Sequence, residues 1–324
     1  MRVLVTGANG FVGRAVIARL KDSVDVFAVC GLRTELTADF DGLRLVRRDL
    51  TSPAPLDDLV AEVDAVIHLA GLAHVRRGGP ADHLESFRAV NVSSTERLAR
   101  AAASAGVRRF IFLSSIAVNG DETYGQPYRE TDSSRPTSHY GTSKAEAEGR
   151  LSLAATQNDM EFVNLRPPAL VGRDAPGNLA TLVRLVRMGA PLPLRSITNR
   201  RSYLGVRNLA DLITLCLDHP AAANQTFLAA DTPSLSTPDL IRILARHLNR
   251  PARLVPAPVA AIRSAAGLIG RESSLRALWA SLDVDSSKAE RLLGWTRRQS
   301  LDAALAEAVQ AEPARDAHIN RRDS

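Results

Sequence analysis

Short apolar runs alternate with amphipathic stretches over the first half of the chain. The runs predict strands, and most lack polar/apolar alternation, as expected for strands buried on both faces. The predicted strands are Val3–Thr6, Val24–Cys30, Leu43–Arg48, Ala65–Ala70, Phe110–Ser114 and Phe162–Leu165. The predicted helices between them are Val12–Lys21, Leu56–Val63, His83–Ser104 and Tyr140–Thr156. This alternation predicts an α/β fold with a doubly wound parallel sheet and right-handed crossovers.

The pattern changes after Arg166. Pro167 and Pro168 interrupt regular structure, because proline lacks a backbone donor and restricts the residue before it. Helices dominate from this point on. We therefore predict a sheet domain at residues 1–166, a smaller and mostly helical domain at 167–312, and a flexible tail at 313–324. A return of the chain to the sheet is expected near residues 203–217.

Composition narrows the class of protein. The 324 residues carry a net charge of +6, and only 4% are aromatic. Bases of a nucleic acid would find few side chains to stack on, so we expect no nucleic-acid partner and interpret the charge as a solvated basic surface with a small anionic ligand. Cys30 and Cys216 lack metal-ligand spacing, which argues against a zinc site and a disulfide framework. Without a signal-peptide pattern or a membrane-length apolar run, a cytoplasmic protein without a membrane partner is expected.

A glycine-rich turn joins the first strand to the first helix. Gly7, Gly10 and Gly13 have the spacing of a dinucleotide-binding turn. The first glycine permits the tight turn, the second lets a pyrophosphate approach the backbone, and the third lets helix and strand pack closely. Backbone N–H groups and the helix dipole then bind the anion. The turn predicts a Rossmann-type sheet with cofactor contacts from Gly7, Asn9, Gly10, Phe11, Val12 and Gly13.

The end of the second strand bears on the choice of cofactor. A Rossmann sheet usually carries a carboxylate there that binds the ribose hydroxyls. This strand ends at Cys30, and Arg33 follows. Since an arginine can pair with a 2′-phosphate, the sequence favours NADP(H) over NAD(H); the alternative is a surface Arg33 and a ribose bound by backbone. Asp49 and the adjacent Leu50, after the third strand, are predicted to contact the adenine end.

Tyr140 and Lys144 lie one helical turn apart and therefore share a helix face. The chain has four tyrosines and three lysines, so this pair is unlikely to arise by chance. An ammonium near a phenol favours the phenolate. Tyr140 is thus predicted to exchange a proton with a substrate hydroxyl or carbonyl while hydride moves to or from a nicotinamide, and Lys144 to contact the nicotinamide ribose.

Three further polar positions lie near the predicted carboxyl edge of the sheet, where ligands bind in doubly wound folds. Ser115, after the fifth strand, is predicted to hydrogen-bond the reacting oxygen, with a structural turn serine as the alternative. His68 is interpreted as structural, packing near the cofactor. Asn91 is expected to tie neighbouring strands together, and a surface position on its helix is the alternative.

Together these residues resemble the extended short-chain dehydrogenase/reductase family, in its epimerase/dehydratase branch. The resemblance spans nearly the whole chain and rests on Thr-Gly-x-x-Gly-Phe-x-Gly from Thr6, His-Leu-Ala-Gly at 68–71, Asn-Val at 91–92, Ser-Ser at 114–115, Tyr-x-x-x-Lys at 140–144, Leu-Arg-Pro-Pro at 165–168 and Asp-Ser-Ser-Lys-Ala at 285–289. It implies that Ser115, Tyr140 and Lys144 are catalytic. It also implies cofactor contacts from Leu69, Ala70, Gly71, Asn91, Ser114, Tyr140, Lys144 and Pro167. Contacts to a nucleotide-sugar are implied for Ser115, Asn178 and Arg201, and a homodimer through a four-helix bundle is implied for helices 83–104 and 140–156.

Three functions remain open. The first is hydride chemistry at C4 of a UDP-hexose or UDP-N-acetylhexosamine, as a 4-keto reductase or a UDP-glucose 4-epimerase type of enzyme, in polysaccharide or lipopolysaccharide sugar synthesis. The second is reduction of another ketone, steroid or aldehyde, and the third is a non-enzymatic NAD(P) sensor. Arg201 favours the first, because a guanidinium can bind a diphosphate with two donors. Cys30, Asn119 and Ala169 depart from the usual epimerase pattern and weigh against a strict UDP-glucose 4-epimerase.

Overall fold

The strands form one large and one small sheet in a computed structural model, which describes residues 1–32, 43–73, 80–268, 270 and 272–310. The strands are β1 (Arg2–Thr6), β2 (Asp25–Cys30), β3 (Arg44–Arg47), β4 (Ala65–His68), β5 (Arg109–Leu113), β6 (Glu161–Arg166), β7 (Ala169–Val171), β8 (Tyr203–Gly205) and β9 (Gln225–Leu228). The large sheet has the order β3-β2-β1-β4-β5-β6-β9, and every neighbouring pair in it is parallel. The predicted fold class is confirmed.

The sheet order reverses between β1 and β4. From β1 the chain moves outward through β2 and β3, and it then returns to place β4 on the other side of β1, where Thr6 lies opposite His68. In open α/β sheets such a reversal leaves a crevice outside the carboxyl ends of the two strands, and ligands bind in that crevice. The glycine turn follows β1 directly, so it lies at this position.

The helices in the described residues lie where they are predicted in the first half of the chain, although the one at Asp57–Val60 is half as long as the predicted helix Leu56–Val63. They are α1 (Phe11–Leu20), α2 (Asp57–Val60), α3 (Pro80–Phe87), α4 (Ser94–Ser104), α5 (His139–Thr156), α6 (Asn178–Arg187), α7 (Val206–Asp218), α8 (Thr237–His247), α9 (Val259–Leu268), α10 (Glu272–Leu275), α11 (Ser287–Leu293) and α12 (Leu301–Gln310). The predicted helix His83–Ser104 is interrupted: residues Arg88–Ser93 form a π-helical turn between α3 and α4. Such turns occur often at functional sites.

The described residues form two compact units. The first contains residues 1–169, 206–230 and 282–298; the second contains residues 170–205, 231–281 and 299–310. The sequence indicated a return near residues 203–217, and in the first unit α7 packs against α1. Arg109, which is almost fully buried, anchors the end of α7 by donating to the carbonyl oxygens of Cys216 (2.6 Å) and His219 (2.9 Å). The domain boundaries at residues 166 and 312 stay a prediction.

The segment at residues 282–298 covers the outer edge of β9. Lys288 Nζ donates to the Thr226 carbonyl oxygen (2.9 Å), and Arg297 Nε donates to the Ala230 carbonyl oxygen (2.8 Å). Glu130 accepts from the Leu228 N–H (2.9 Å). An edge strand otherwise exposes backbone groups that invite pairing with another chain. The Asp-Ser-Ser-Lys-Ala motif therefore has a structural use here.

The basic charge is unevenly divided between the units. The second unit contains thirteen arginines and six carboxylates over residues 170–205, 231–281 and 299–310, which gives it a net charge of +7. The first unit contains 25 basic and 26 acidic residues and has a net charge of −1. Within the described parts of the chain, no helix has the length and hydropathy that a bilayer span requires.

Candidate active site

The glycine turn after β1 depends on the absence of two Cβ atoms. Gly7 has a left-handed backbone (φ +67°), and a Cβ there would lie 2.7 Å from the Ala70 backbone nitrogen. A Cβ on Gly13 would lie 2.2 Å from the Gly7 carbonyl oxygen. The turn therefore packs directly against the loop after β4 and against its own helix. Gly10 precedes α1, and its N-cap makes no side-chain hydrogen bond in the described structure, an arrangement that suits an anion bound by the first N–H groups of the helix.

A chain of hydrogen bonds joins this turn to the helix region of Asn91. The Ala70 N–H donates to Thr6 Oγ1 (3.3 Å), which lies 2.6 Å from His68 Nδ1. His68 Nε2 lies 3.0 Å from Thr95 Oγ1, which donates to the Asn91 carbonyl oxygen (2.6 Å). Because the Thr95 proton is used in that last bond, His68 donates from Nε2 and accepts at Nδ1 from Thr6. The direction of every bond in the chain is thus fixed.

His68 is neutral at physiological pH. Burial lowers its pKa, and the nearby Lys144 charge acts in the same direction, so that the pKa is about 3. The ring stacks on Phe112 at 5.8 Å between centroids and meets Phe110 edge-on at the same distance. A neutral imidazole with both nitrogens bonded is a rigid connector and has no free nitrogen for acid–base chemistry, in agreement with its interpretation as structural.

Asn91 connects the loop after β4 with α5. It lies in the π-helical turn and is 1% exposed. Its Oδ1 accepts from the Leu72 N–H (2.7 Å), while its Nδ2 donates to the Leu72 carbonyl oxygen (2.9 Å) and to Ser143 Oγ (3.0 Å). Ser143 in turn donates to the Tyr140 carbonyl oxygen (2.8 Å). The expected tie between strands is thus a tie between a strand-end loop and the helix that carries Tyr140.

Ser115, Tyr140 and Lys144 meet at the carboxyl end of β5. Ser115 accepts from the Ala117 N–H (3.2 Å) at the start of a short 3-10 turn, and its hydroxyl hydrogen-bonds the Tyr140 phenol. Lys144 is 4% exposed; its Nζ donates to the Leu113 carbonyl oxygen (2.8 Å) and lies 4.4 Å from the centre of the Phe112 ring. A hydroxyl, a phenol and an ammonium are therefore close together next to the glycine turn's crevice.

Burial sets the protonation of this cluster. It raises the pKa of Tyr140, and the hydrogen bond to Ser115 opposes the rise. It lowers the pKa of Lys144 to about 8, and Glu148 opposes the fall. The sequence predicted that the ammonium would favour the phenolate. The pKa of Tyr140 instead moves upward, because burial removes the hydration that a phenolate needs.

Several observations fit a bound dinucleotide at this edge. Ser114 Oγ is buried without a hydrogen-bond partner among the described residues. A Cβ on Gly71 would come within 3.3 Å of Lys144 Nζ and 3.2 Å of Asn91 Oδ1, so the backbone runs close to both side chains. Pro167 follows β6 and lies beside the turn of Ser115, since its carbonyl oxygen accepts from the Ile116 N–H (3.0 Å).

The contacts of the remaining predicted cofactor residues in the first unit do not bear on cofactor binding. Asp49 is exposed and accepts from the N–H (2.9 Å) and the hydroxyl (2.7 Å) of Thr51, which lowers its pKa. Leu50 is buried. Asn9 accepts from Arg14 Nη1 (3.2 Å) through its carbonyl oxygen. Arg33 lies outside the described residues.

The two predicted nucleotide-sugar residues lie in the second unit. Asn178 opens α6, follows Gly177 (φ +85°) and is exposed. Arg201 exchanges two backbone hydrogen bonds with Leu235, both 2.9 Å, and its Nη1 donates to the Ala280 carbonyl oxygen (3.0 Å). Part of the Arg201 guanidinium is therefore used to hold its own unit together.

Two functional candidates were missed from the sequence. Glu148 and Arg166 form a buried ion pair behind Lys144, with Arg166 Nη2 2.6 Å from Glu148 Oε2. The sequence did contain a signal for Glu148, because it follows Lys144 by one more helical turn on the same helix face.

Among the described residues, no group of three or more His, Cys, Asp or Glu side chains could hold a metal ion.

Known proteins are similar to this chain over most of its length. Residues 3–230 match the family model of the NAD dependent epimerase/dehydratase family. A UDP-glucose 4-epimerase of Vibrio cholerae is 38% identical over 311 residues, which cover 95% of this chain and 94% of that protein. The structure of MoeE5 in complex with UDP-glucose and NAD has a TM-score of 0.78 at 26% identity, with 96% and 98% of the two chains covered.

A second solved structure supports the fold alone. UDP-glucuronic acid 4-epimerase from Bacillus cereus, in complex with NAD, has a TM-score of 0.78 at 18% identity and covers 96% of this chain and 98% of its own. The family match and the relative at 38% identity confirm the predicted family and the prediction of an enzyme. The chain belongs to the NAD dependent epimerase/dehydratase family.

Proposed function

We propose that this enzyme is a 4-epimerase of a UDP-hexose or UDP-N-acetylhexosamine that uses a tightly held NAD(H). The cluster of Ser115, Tyr140 and Lys144 beside the glycine turn is the observation that carries the proposal. A relative that is 38% identical over 95% of the chain is a UDP-glucose 4-epimerase, which supports the same reaction here. A MoeE5 structure with UDP-glucose and NAD supports the same pair of ligands.

The residues that would hold the cofactor are the glycine turn at residues 7–13, the loop at 69–71, Ser114, Lys144 and Pro167. When bound, NAD supplies an acceptor and donor of hydride for the C4 carbon of the sugar. The preference for NADP(H) depends on Arg33, which the structure does not describe, and it stays a prediction. Asp49 and Leu50 stay predicted contacts at the adenine end.

Tyr140 Oη takes the proton of the C4 hydroxyl and later returns it to the C4 oxygen. The Ser115 hydroxyl hydrogen-bonds the same oxygen and keeps it within reach of the phenol. Burial raises the pKa of Tyr140, so the resting phenol is protonated and has to release its own proton to solvent before it can act as a base. The Lys144 ammonium stabilises the phenolate that is left, and this phenolate takes the proton of the C4 hydroxyl as hydride leaves C4 and returns it as hydride comes back.

Asn178 and Arg201 are proposed to bind the UDP group. A nucleotide-sugar carries a diphosphate, and the second unit has a net charge of +7. A guanidinium carries five N–H groups in a planar fork that matches the geometry of a phosphate. Bidentate pairing of those donors with a phosphate would add both affinity and orientation.

A homodimer through α4 and α5 is the proposed assembly. Leu153 on α5 is 49% exposed, and Arg150 on the same helix is also exposed. Light scattering of the wild type and of Leu153→Glu tests this directly. A dimeric wild type and a monomeric variant support the bundle, whereas a dimer in both excludes α5 as its centre.

The function is tested by incubating the protein with a panel of UDP-hexoses and UDP-N-acetylhexosamines, with and without NADPH. Sugar epimers and nicotinamide absorbance are followed together. The proposal expects epimers to interconvert without net oxidation of NADPH. Net NADPH oxidation with a UDP-4-keto sugar would select the 4-keto reductase, and turnover of a ketone lacking the nucleotide would select the wider reductase class.

A further inference from the structure

The Lys144 ammonium has one negatively charged neighbour in the described part of the chain. From α5, Tyr140 lies one turn before it and Glu148 one turn after it. From β4, His68 faces it as a neutral ring with a pKa of about 3. From β5, Lys144 meets a carbonyl oxygen and the Phe112 ring. Burial lowers the pKa of Lys144, and the negative charge of Glu148 raises it. Glu148 is therefore the group that stabilises the charged form of Lys144.

Arg166 holds the Glu148 carboxylate with two parallel bonds. Arg166 Nε donates to Oε1 (2.9 Å), and Nη2 donates to Oε2 (2.6 Å). The two side chains are only 11% and 8% exposed. Such a bidentate pair fixes the carboxylate in one orientation. The third nitrogen, Nη1, donates to Asn119 Oδ1 (3.0 Å).

Asn119 belongs to the turn that Ser115 begins. Its N–H donates to the Ile116 carbonyl oxygen (2.9 Å), and the Ile116 N–H donates to the Pro167 carbonyl oxygen (3.0 Å). The Arg166 guanidinium is thus hydrogen-bonded both to α5, which carries Tyr140 and Lys144, and to the turn that begins at Ser115.

A buried ion pair of this kind adds little net stability, because the loss of hydration offsets the attraction. Its presence here calls for another explanation, and its position supplies one. We propose that Glu148 and Arg166 are positioning residues: they keep the Lys144 ammonium charged and hold α5 at a fixed distance from the turn of Ser115. The inference rests on the proposed function only in that Ser115, Tyr140 and Lys144 are the reacting groups.

The scarcity of lysine makes the first half of the proposal measurable without any substrate. The chain has only Lys21, Lys144 and Lys288, so protein labelled with ¹³C-lysine gives three side-chain Cε signals. They are assigned with Lys21→Arg and Lys288→Arg and titrated by NMR on the full chain saturated with NAD⁺. Lys288 is the internal control, because its ammonium lies against Thr226 and Phe227 instead.

Glu148→Gln keeps the shape of the side chain and removes its charge. We expect the Lys144 pKa to fall by roughly one unit, since a nearby opposite charge stabilises the charged form. The Lys288 signal is expected not to move. Because the ammonium is then lost at lower pH, the alkaline loss of kcat begins at lower pH as well. An unchanged Lys144 titration in a folded Glu148→Gln protein overturns the electrostatic half of the proposal.

Asn119→Ala tests the second half, because it cuts the link to the turn of Ser115 and alters no charge. We expect kcat to fall about tenfold, because small misplacements of reacting groups are costly. KM and the Lys144 titration are expected to stay as in the wild type. Glu148→Asp keeps the charge and shortens the reach, so it is expected to combine a lower kcat with a Lys144 shift less than half that of Glu148→Gln.

Glu148→Gln leaves a buried Arg166 without its partner and can fail to fold. In that case Glu148→Met with Arg166→Met replaces the pair by apolar groups, a change that is often tolerated. A smaller fall in the Lys144 pKa is expected there, because the positive charge of Arg166 is removed together with the negative charge of Glu148. If kcat and the Lys144 titration of the double variant both match the wild type, the pair is a packing element only. The NMR result does not depend on the sugar, so it stays decisive even if the proposed 4-epimerase activity is absent.

Discussion

The two units of the chain use their polar residues in opposite ways. The first unit, with a net charge of −1, buries His68, Asn91, Lys144 and Glu148 and gives each of them defined hydrogen-bond partners. The second unit, with a net charge of +7, presents Asn178 and arginines such as Arg195 and Arg253 at its surface. Under the proposed function, reactivity in the first unit is set by desolvation and fixed geometry, whereas nucleotide binding by the second unit depends on surface charge, which salt and solvent screen.

The largest expected effect is in the first unit and concerns Tyr140. Tyr140→Phe removes the proton-transfer group and leaves the ring in place. We expect kcat to fall by about 10³-fold, within the range of general acid–base contributions. NAD affinity, measured by titration, is expected to stay within a few-fold of wild type. A turnover close to the wild-type value would break the assignment of the chemistry to this unit.

The next largest effect is expected in the glycine turn after β1. Gly13→Ala places a Cβ 2.2 Å from a backbone oxygen, so the turn and α1 must separate. We expect a loss of several kcal/mol in unfolding free energy, about the size of other overpacked sites or more, together with a loss of NAD binding. Gly149→Ala is the matched control: apart from its chain neighbours and the backbone of its own helix, nothing lies within 4 Å of its new Cβ. It lies within α5, so the control is expected to be neutral or slightly stabilising in chemical denaturation.

Arg201 tests the second unit. Arg201→Ala is expected to raise KM for the nucleotide-sugar by roughly tenfold or more, because bonds between charged groups contribute about 1.5–3 kcal/mol. kcat and NAD affinity are expected to change little. Arg195→Ala, at an exposed arginine of the same unit, serves as the control for charge alone. Equal KM values for wild type and Arg201→Ala would remove Arg201 from the binding site.

His68 links the buried network to acid stability. Its folded pKa of about 3 lies below the unfolded value of 6.5. Between these values the unfolded chain binds more protons than the folded one, so stability falls as the pH is lowered from 6.5 towards 3. The slope reaches about 1.4 kcal/mol per pH unit for one such group. His68→Gln, compared by urea denaturation at several pH values, is expected to show a shallower slope than wild type; parallel slopes would contradict a buried neutral His68.

The smallest effect concerns the cofactor's 2′ position. Arg33→Ala is expected to weaken NADPH binding by about 1 kcal/mol more than NADH binding, the upper end of the range for ion pairs that water screens. Fluorescence titrations with both cofactors measure the difference. Equal losses of affinity for NADPH and NADH would show that Arg33 does not contact a 2′-phosphate.

The sequence was informative where function depends on local spacing. Gly7, Gly10 and Gly13 predicted the turn, and Tyr140 with Lys144 predicted a shared helix face, because both signals need only a few neighbouring residues. Repeated apolar runs also predicted the parallel sheet. β9 was missed because Gln225–Leu228 has only two apolar residues, and its place beside β6 depends on contacts far apart along the chain.

Other properties could not be predicted from spacing. The π-helical turn at Arg88–Ser93 keeps the apolar pattern of an ordinary helix, so nothing marked it in the sequence. The direction of the Tyr140 pKa depends on how deeply its ring is buried, and burial is a property of the folded chain. The partnership of Glu148 with Arg166 joins a helix to a strand end, which one sequence alone does not reveal.

The central claim is that Tyr140 exchanges a proton at the C4 oxygen while hydride leaves and returns to the same C4 carbon. Its most direct test uses a UDP-sugar identified as substrate and carrying deuterium at C4, with mass spectrometry of the epimer formed. The account predicts that the epimer keeps the deuterium at C4 and that Tyr140→Phe forms almost none. Replacement of the deuterium by solvent hydrogen would contradict it.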